Sequence, residues 1–192
     1  MTDTDMALLV IDMQVDFLTP SFPLYVAGGP AIVPAVHQVI ERARSANVTI
    51  VHVKRQHRPT GVDIDLSRQE LFAQTGGLLV AGTTGAQEVS PLEPATTDLT
   101  VVKTRWSAFF GTNLDLLLRR LQIHELVLTG VQTPNCIRAT ATDALSLDYV
   151  TTVLSDATAS QTAVIQASNL SDMAAMGVRI MTVAQFEKSL AH

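Results

Sequence analysis

Apolar positions along the chain alternate between two rhythms. Met6–Ile11 is an unbroken apolar run, the mark of a strand buried on both faces. From Ile32 to Ala46, Val33, Val36, Val39, Ile40 and Ala43 fall at helical spacing, with Pro30 near the start. Val48–Val53 is β-branched and predicts a second strand. Leu99–Val102, Glu125–Leu128, Tyr149–Leu154 and Val178–Met181 predict four more. Helices are expected over Asn113–Leu121 with Thr112 as cap, over Pro134–Leu147, and over Ala163–Met176 with Gly177 at C′. A short one closes the chain at Ala184–Leu190. Between Lys54 and about Thr97 the pattern is irregular and rich in Gly, Thr and Pro, with one short helix expected at Asp65–Gln74. A loop of that length suggests the wall of a site.

Repeated strand–helix alternation predicts a three-layer α/β/α sandwich around a parallel six-stranded sheet, in one domain over residues 1–192. Ligands of such sheets bind beyond the carboxyl ends of the strands. The positions to inspect are therefore Asp12, Lys54 to Arg58, Lys103, and Gly130 to Cys136.

Composition narrows the partners. The net charge is −5 and no basic stripe is present, which argues against nucleic acid or an anionic membrane. No apolar run approaches the roughly 20 residues of a membrane span. The start, MTDTDMALLVID, lacks the pattern of a secretory signal. The single cysteine forms no intramolecular disulfide. A cytoplasmic protein is the expectation.

That cysteine, Cys136, lies in TGVQTPNCIRATATDAL, directly behind a strand. With Thr133 as N-cap and Pro134 at N1, it falls in the first helical turn. Free amides and the positive end of the helix dipole should lower its pKa and can hold an oxyanion. The alternative is a buried, inert thiol. A thiol nucleophile needs a base. Only His57 among the histidines falls in a strand-end loop, so Asp12, ending ALLVID, and Lys103, ending LTVVK, are the next candidates. Their convergence on Cys136 follows from the expected fold.

Four stretches then carry a resemblance: LLVIDMQVDF, VVKTRWSAFFGTNL, GVQTPNCIRATATDA and the strand end Ser155–Thr158. In this order they resemble the isochorismatase-like cysteine hydrolase superfamily, which includes nicotinamidases, N-carbamoylsarcosine amidohydrolases and ureidoacrylate amidohydrolases. The resemblance spans about Met6 to Met181. It implies that Asp12 is the general base, Lys103 holds the Asp12 and Cys136 charges, and Cys136 attacks a carbonyl to form a thioester. It also implies a cis peptide at Val131–Gln132, with the Gln132 and Cys136 amides as the oxyanion hole. The implied reaction is hydrolysis of a C–N bond in a small amide, carbamoyl or ureido substrate. A homo-oligomer is implied as well.

Metal-dependent nicotinamidases carry an Asp-x-His arrangement and further histidines after the second strand. Here Gln56 stands where the Asp is expected and Arg58 where a His is expected, so no metal and no cofactor are expected. Retention of Cys136 argues against the vinyl-ether chemistry of isochorismatases proper. Of the cluster Lys54, Arg55, His57 and Arg58, either Arg58 or His57 is the candidate to face a polar or anionic substrate. Trp106, Phe109 and Phe110 are candidate pocket walls, with Phe17 a further one by resemblance. Asp16, Asp143 and Asp156 are expected to be structural. Two other function classes stay open. One is a catalytically silent or regulatory binding protein on the same fold, and the other is a thiol redox sensor. Retention of Asp12 and Lys103 favours the hydrolase over both.

Overall fold

A computed structural model describes residues 4–190 of the chain. Strand β1 (Met6–Ile11) sits at the middle of the sheet, and its two faces feed two separate cores. Leu8 and Val10 point into one, and Ala7, Leu9 and Ile11 into the other. β1 pairs in parallel with β2 (Thr49–Arg55), Ala7 lying opposite Thr49 and Ile11 opposite Val53. On its other side it pairs with β4 (Glu125–Val131), Met6 opposite Glu125 and Ile11 opposite Gly130. β3 (Leu99–Lys103) lies outside β2, and β5 (Val150–Ala159) and β6 (Arg179–Met181) lie beyond β4. The order is β3-β2-β1-β4-β5-β6, all parallel. The direction of winding reverses between β1 and β4, which opens a crevice at the carboxyl ends there.

Helix α2 (Gly29–Ser45) buries Ile32, Val36, Val39, Ile40 and Ala43 on one face of the sheet. Each of the four branched side chains, Ile32, Val36, Val39 and Ile40, is worth about 1.5–3 kcal/mol of burial before ordering entropy is subtracted. α7 (Val183–Ser189) joins it through Val183 and Phe186, and a reciprocal Thr182–Gln185 capping box fixes its start. The opposite face is covered by α4 (Leu114–Arg120), α5 (Arg138–Ser146) and α6 (Ala163–Ala175). Among the described residues no helix is long and apolar enough to cross a membrane.

The long irregular stretch is not structureless. It holds short turns at Leu66–Arg68 and Thr84–Ala86 and helix α3 (Gln69–Thr75), and it buries Leu78, Leu79 and Leu92. The short helix α1 (Val15–Leu18) anchors it, because the Leu79 amide donates to Asp16 Oδ2 at 2.7 Å.

β2 ends at Arg55 instead of Val53, and Asn113, not Thr112, holds the cap position of α4. Three elements differ more from the sequence expectation. β4 runs on to Val131 and β5 to Ala159, well past Leu128 and Leu154. Thr129 and Gly130 look like a turn in sequence, but the Thr129 hydroxyl donates to Leu9 O and Gly130 packs flush against β1. The expected single helix Pro134–Leu147 divides into a wide π-helical turn at Thr133–Ile137 and then α5. Thr133 is not its cap. Gln132 occupies the cap position, and Thr133 Oγ1 is buried without a partner.

Candidate active site

Three side chains from three strand ends meet at the crevice. Asp12 follows β1 directly, and its amide donates to Val53 O at 2.9 Å, holding it at φ +54°. Lys103 is the last residue of β3. Cys136 lies in the wide turn after β4, behind a Val131–Gln132 peptide that is cis. All three are buried. Lys103 Nζ donates to Asp12 Oδ2 at 2.8 Å, to Cys136 Sγ at 3.4 Å and to Arg105 O at 3.0 Å. An ammonium has three hydrogens, so its donors are fully used. Asp12 Oδ1 takes no formed hydrogen bond and is buried beside the thiol.

The thiol is not acidified as its helix-start position suggested. Burial first, and then the Asp12 carboxylate, push it up to about 11, while Lys103 and Arg55 pull the other way. Dehydration of the sulfur and a neighbouring negative charge outweigh the partial charge of one wide turn. The resting sulfur is therefore a thiol with a carboxylate next to it. The Asn135 and Ile137 amides on either side of Cys136 both donate to Gln132 O, at 3.1 Å each.

A second cation stands beside Lys103. Arg55 ends β2, opposite Lys103 in the sheet register, and is buried. Gln14 pins its backbone, accepting from the Arg55 amide at 2.8 Å and donating to its carbonyl at 2.9 Å. Arg55 Nε donates to His57 Nε2 at 3.1 Å, and Nη2 pairs with Asp65 and reaches Thr104 O at 3.3 Å. Burial pushes the Asp65 carboxyl up, but the Ser67 hydroxyl, Arg55 and Arg68 outweigh it and leave Asp65 below its usual range. Burial, then the Arg55 charge, lowers His57, whose Nδ1 lies 3.6 Å from Asp63 Oδ1. Both Asp12 and Cys136 act on Arg55 electrostatically.

A cleft of about 410 Å³ opens over this cluster, lined by Arg55, Asp65, Leu66, Ser67, Arg105 and Trp106. Trp106 thus lies at the site and is 48% exposed. The other expected wall and contact residues are placed elsewhere. Phe17 is in the core beneath α2, and Phe109 stacks on Tyr149 with ring centroids 5.8 Å apart. Arg58 is exposed, with its amide bonded to Asp63, and His57 sits behind Arg55 rather than in front of the cleft. The two arginines that do line the cleft, Arg55 and Arg105, had no distinguishing signal in sequence beyond closeness to a strand end. Asp156 accepts from the Val183 amide at 2.8 Å, a structural bond.

The residues after β2 do not fit a metal. The His57 lone pair that a cation would take is already used by Arg55 Nε. Among the described residues, no group of three His, Cys, Asp or Glu side chains could hold one.

Comparison with known proteins gives a consistent set of relatives. Residues 6–185 match the sequence model of the Isochorismatase domain. A protein of Arabidopsis thaliana named a probable inactive nicotinamidase is 43% identical over 188 residues, covering 96% of each chain. A ureidoacrylate amidohydrolase of Caulobacter vibrioides is 33% identical over 173 residues, covering 79% of this chain and 76% of its own. The crystal structure of an isochorismatase family protein from Desulfovibrio vulgaris superposes with a TM-score of 0.94 at 44% identity, covering 98% of this chain and 99% of that one.

Proposed function

This chain belongs to the isochorismatase family, and from that membership and the geometry of the crevice we propose that it is a cysteine-dependent amidohydrolase acting on a small amide, carbamoyl or ureido compound. The observation that supports this most is the Lys103 ammonium, shared at 2.8 Å with Asp12 and 3.4 Å with Cys136 in a buried site. In the proposed reaction the Cys136 thiol gives its proton to Asp12 as sulfur attacks the substrate carbonyl. Lys103 stays protonated and offsets the charge that develops on sulfur. The Gln132 and Cys136 amides hold the oxyanion. Collapse breaks the C–N bond, and the leaving nitrogen takes the proton from Asp12. Water, losing a proton to Asp12, then attacks the thioester carbon, the C–S bond breaks, and Asp12 passes that proton to the departing sulfur to restore the thiol. A thiol held near 11 suits this scheme, since proton transfer is coupled to attack rather than completed beforehand.

A second reading is that the chain binds a ligand without turning it over, favoured by the Arabidopsis relative's name as a probable inactive nicotinamidase. Ammonia release across a panel of primary amides, ureides and N-carbamoyl compounds separates the two. The hydrolase reading expects release with at least one member, lost in Cys136→Ala. Saturable binding with no release from any member supports the silent protein. We also propose a homo-oligomer, consistent with helix α6, which buries only Met173 and leaves Val164 79% exposed.

A further inference from the structure

The charges in the cleft over Arg55 do not cancel. Asp65 is engaged by Arg55, Arg68 and Ser67 together. Arg105 is different, since among the described residues no carboxylate pairs with it. It is held instead by backbone, with Nη1 donating to Asp63 O at 2.8 Å and to Thr104 O at 2.9 Å. Asp63 offers it only that carbonyl, for its carboxylate accepts from the Arg58 amide at 3.0 Å and faces His57. Both bonds fall on one nitrogen. The guanidinium is thereby immobilised, with its other donors unspent on the wall of a cleft that also presents Leu66 and Trp106. Its backbone is tied to the reacting groups as well, because Lys103 Nζ donates to Arg105 O.

We propose that Arg105 is the specificity residue of this site and binds a carboxylate at the non-reacting end of the substrate. The substrate class is then a small amide or ureide that carries a carboxylate, with a short apolar spacer lying against Leu66 and Trp106. A half-buried guanidinium with a fixed orientation and no internal counter-ion matches a carboxylate in geometry and charge. An uncharged amide leaves it with water alone. This inference rests on the amidohydrolase reading for its chemistry but on Arg105 alone for its recognition.

The test uses the full chain and paired compounds that differ in the carboxylate: succinamate against butyramide, and N-carbamoylglycine against N-ethylurea. Ammonia release should show kcat/KM about tenfold or more in favour of the charged member of at least one pair, the size expected of one charge-assisted contact. Arg105→Gln should collapse that ratio mainly through KM, and Arg105→Lys should restore part of it. Equal rates within both pairs, or a ratio unchanged in Arg105→Gln, overturn the inference. Calorimetry in the Cys136→Ala background separates it from the reaction itself. Binding of a charged member that is lost on adding Arg105→Gln supports the role of Arg105, even if no compound is hydrolysed and the hydrolase reading falls. Hydrolysis of uncharged members without any Arg105-dependent binding overturns Arg105 and keeps the hydrolase. No Arg105-dependent binding of either charged compound also overturns it.

Discussion

The side chains of Lys103 and Asp12 have no exposed surface, so the two charges depend on each other. Removing one partner of such a pair leaves an uncompensated buried charge. Lys103→Met should therefore lose about 3–5 kcal/mol of stability in urea unfolding. Lys103→Met combined with Asp12→Asn should lose less than Lys103→Met alone. Equal stability of Lys103→Met and the parent would show that the pair is hydrated. His57 gives a prediction in pH. Its folded pKa lies below 6.5, because burial and Arg55 disfavour its charge. Below about 6.5 the unfolded chain binds a proton that the folded chain refuses, so this group's contribution to stability falls as pH drops from there toward its folded pKa. His57→Gln keeps an acceptor for Arg55 Nε and should flatten the difference in unfolding free energy between pH 7.5 and 5.5. An unchanged difference would mean that other groups carry it. The convergence of Asp12, Lys103 and Cys136 was legible in sequence because Asp12 and Lys103 each end an apolar strand run and Cys136 follows a strand through Thr133 and Pro134. Arg55 and Arg105 were not, since a basic residue at or just past the end of a strand has the same appearance whether it is solvated or folded inward over a cleft.

At the level of elements, the apolar runs located every strand, and the helical spacing of Val36, Val39 and Ile40 located α2. What failed was the carboxyl ends. Polar and glycine residues continue the ladder there because a neighbouring strand satisfies their backbone, which a single sequence does not display. Gly130 shows this most clearly. It sits at φ +108°, and a Cβ on it would lie 2.0 Å from Ile11 O. Glycine is required both by the left-handed backbone and by the contact of β4 with β1. Gly130→Ala should force apart the two strands that carry Asp12 and Cys136, losing roughly 3 kcal/mol or more by the combined strain and clash. It should also reduce turnover in whatever fraction remains folded. Thermal unfolding and activity of Gly130→Ala close to the parent's would place the β1–β4 contact elsewhere. The wide turn at Thr133–Ile137 was hidden for a similar reason, because Pro134 after a Thr is a good helix start by local preference. Its dimensions are set by the Gln132 carbonyl, which accepts from both Asn135 and Ile137.

The whole molecule is a parallel sheet whose reversal point brings together Asp12 from beyond β1, Lys103 from the end of β3 and Cys136 from beyond β4, with a fixed cation from β2. Its outer surface includes α6, where Val164, Ser168, Ser171 and Ala175 recur at helical spacing with no charge among them. The proposed oligomer should appear in sedimentation velocity as a species of at least twice the 20.6 kDa chain. Replacing Val164 with Glu should shift it toward the single chain if α6 is covered, and a monomer at every concentration would refute the assembly. Fold and family stand apart from this, while the proposed chemistry depends on the sulfur. The most direct measurement is the mass of the protein after acid quenching during turnover of an active panel compound, followed by digestion. The account predicts an acyl group, equal to the substrate less its leaving amine, on the peptide containing Cys136 and absent from Cys136→Ala. Steady turnover with no mass added to that peptide, undiminished in Cys136→Ala, would contradict it.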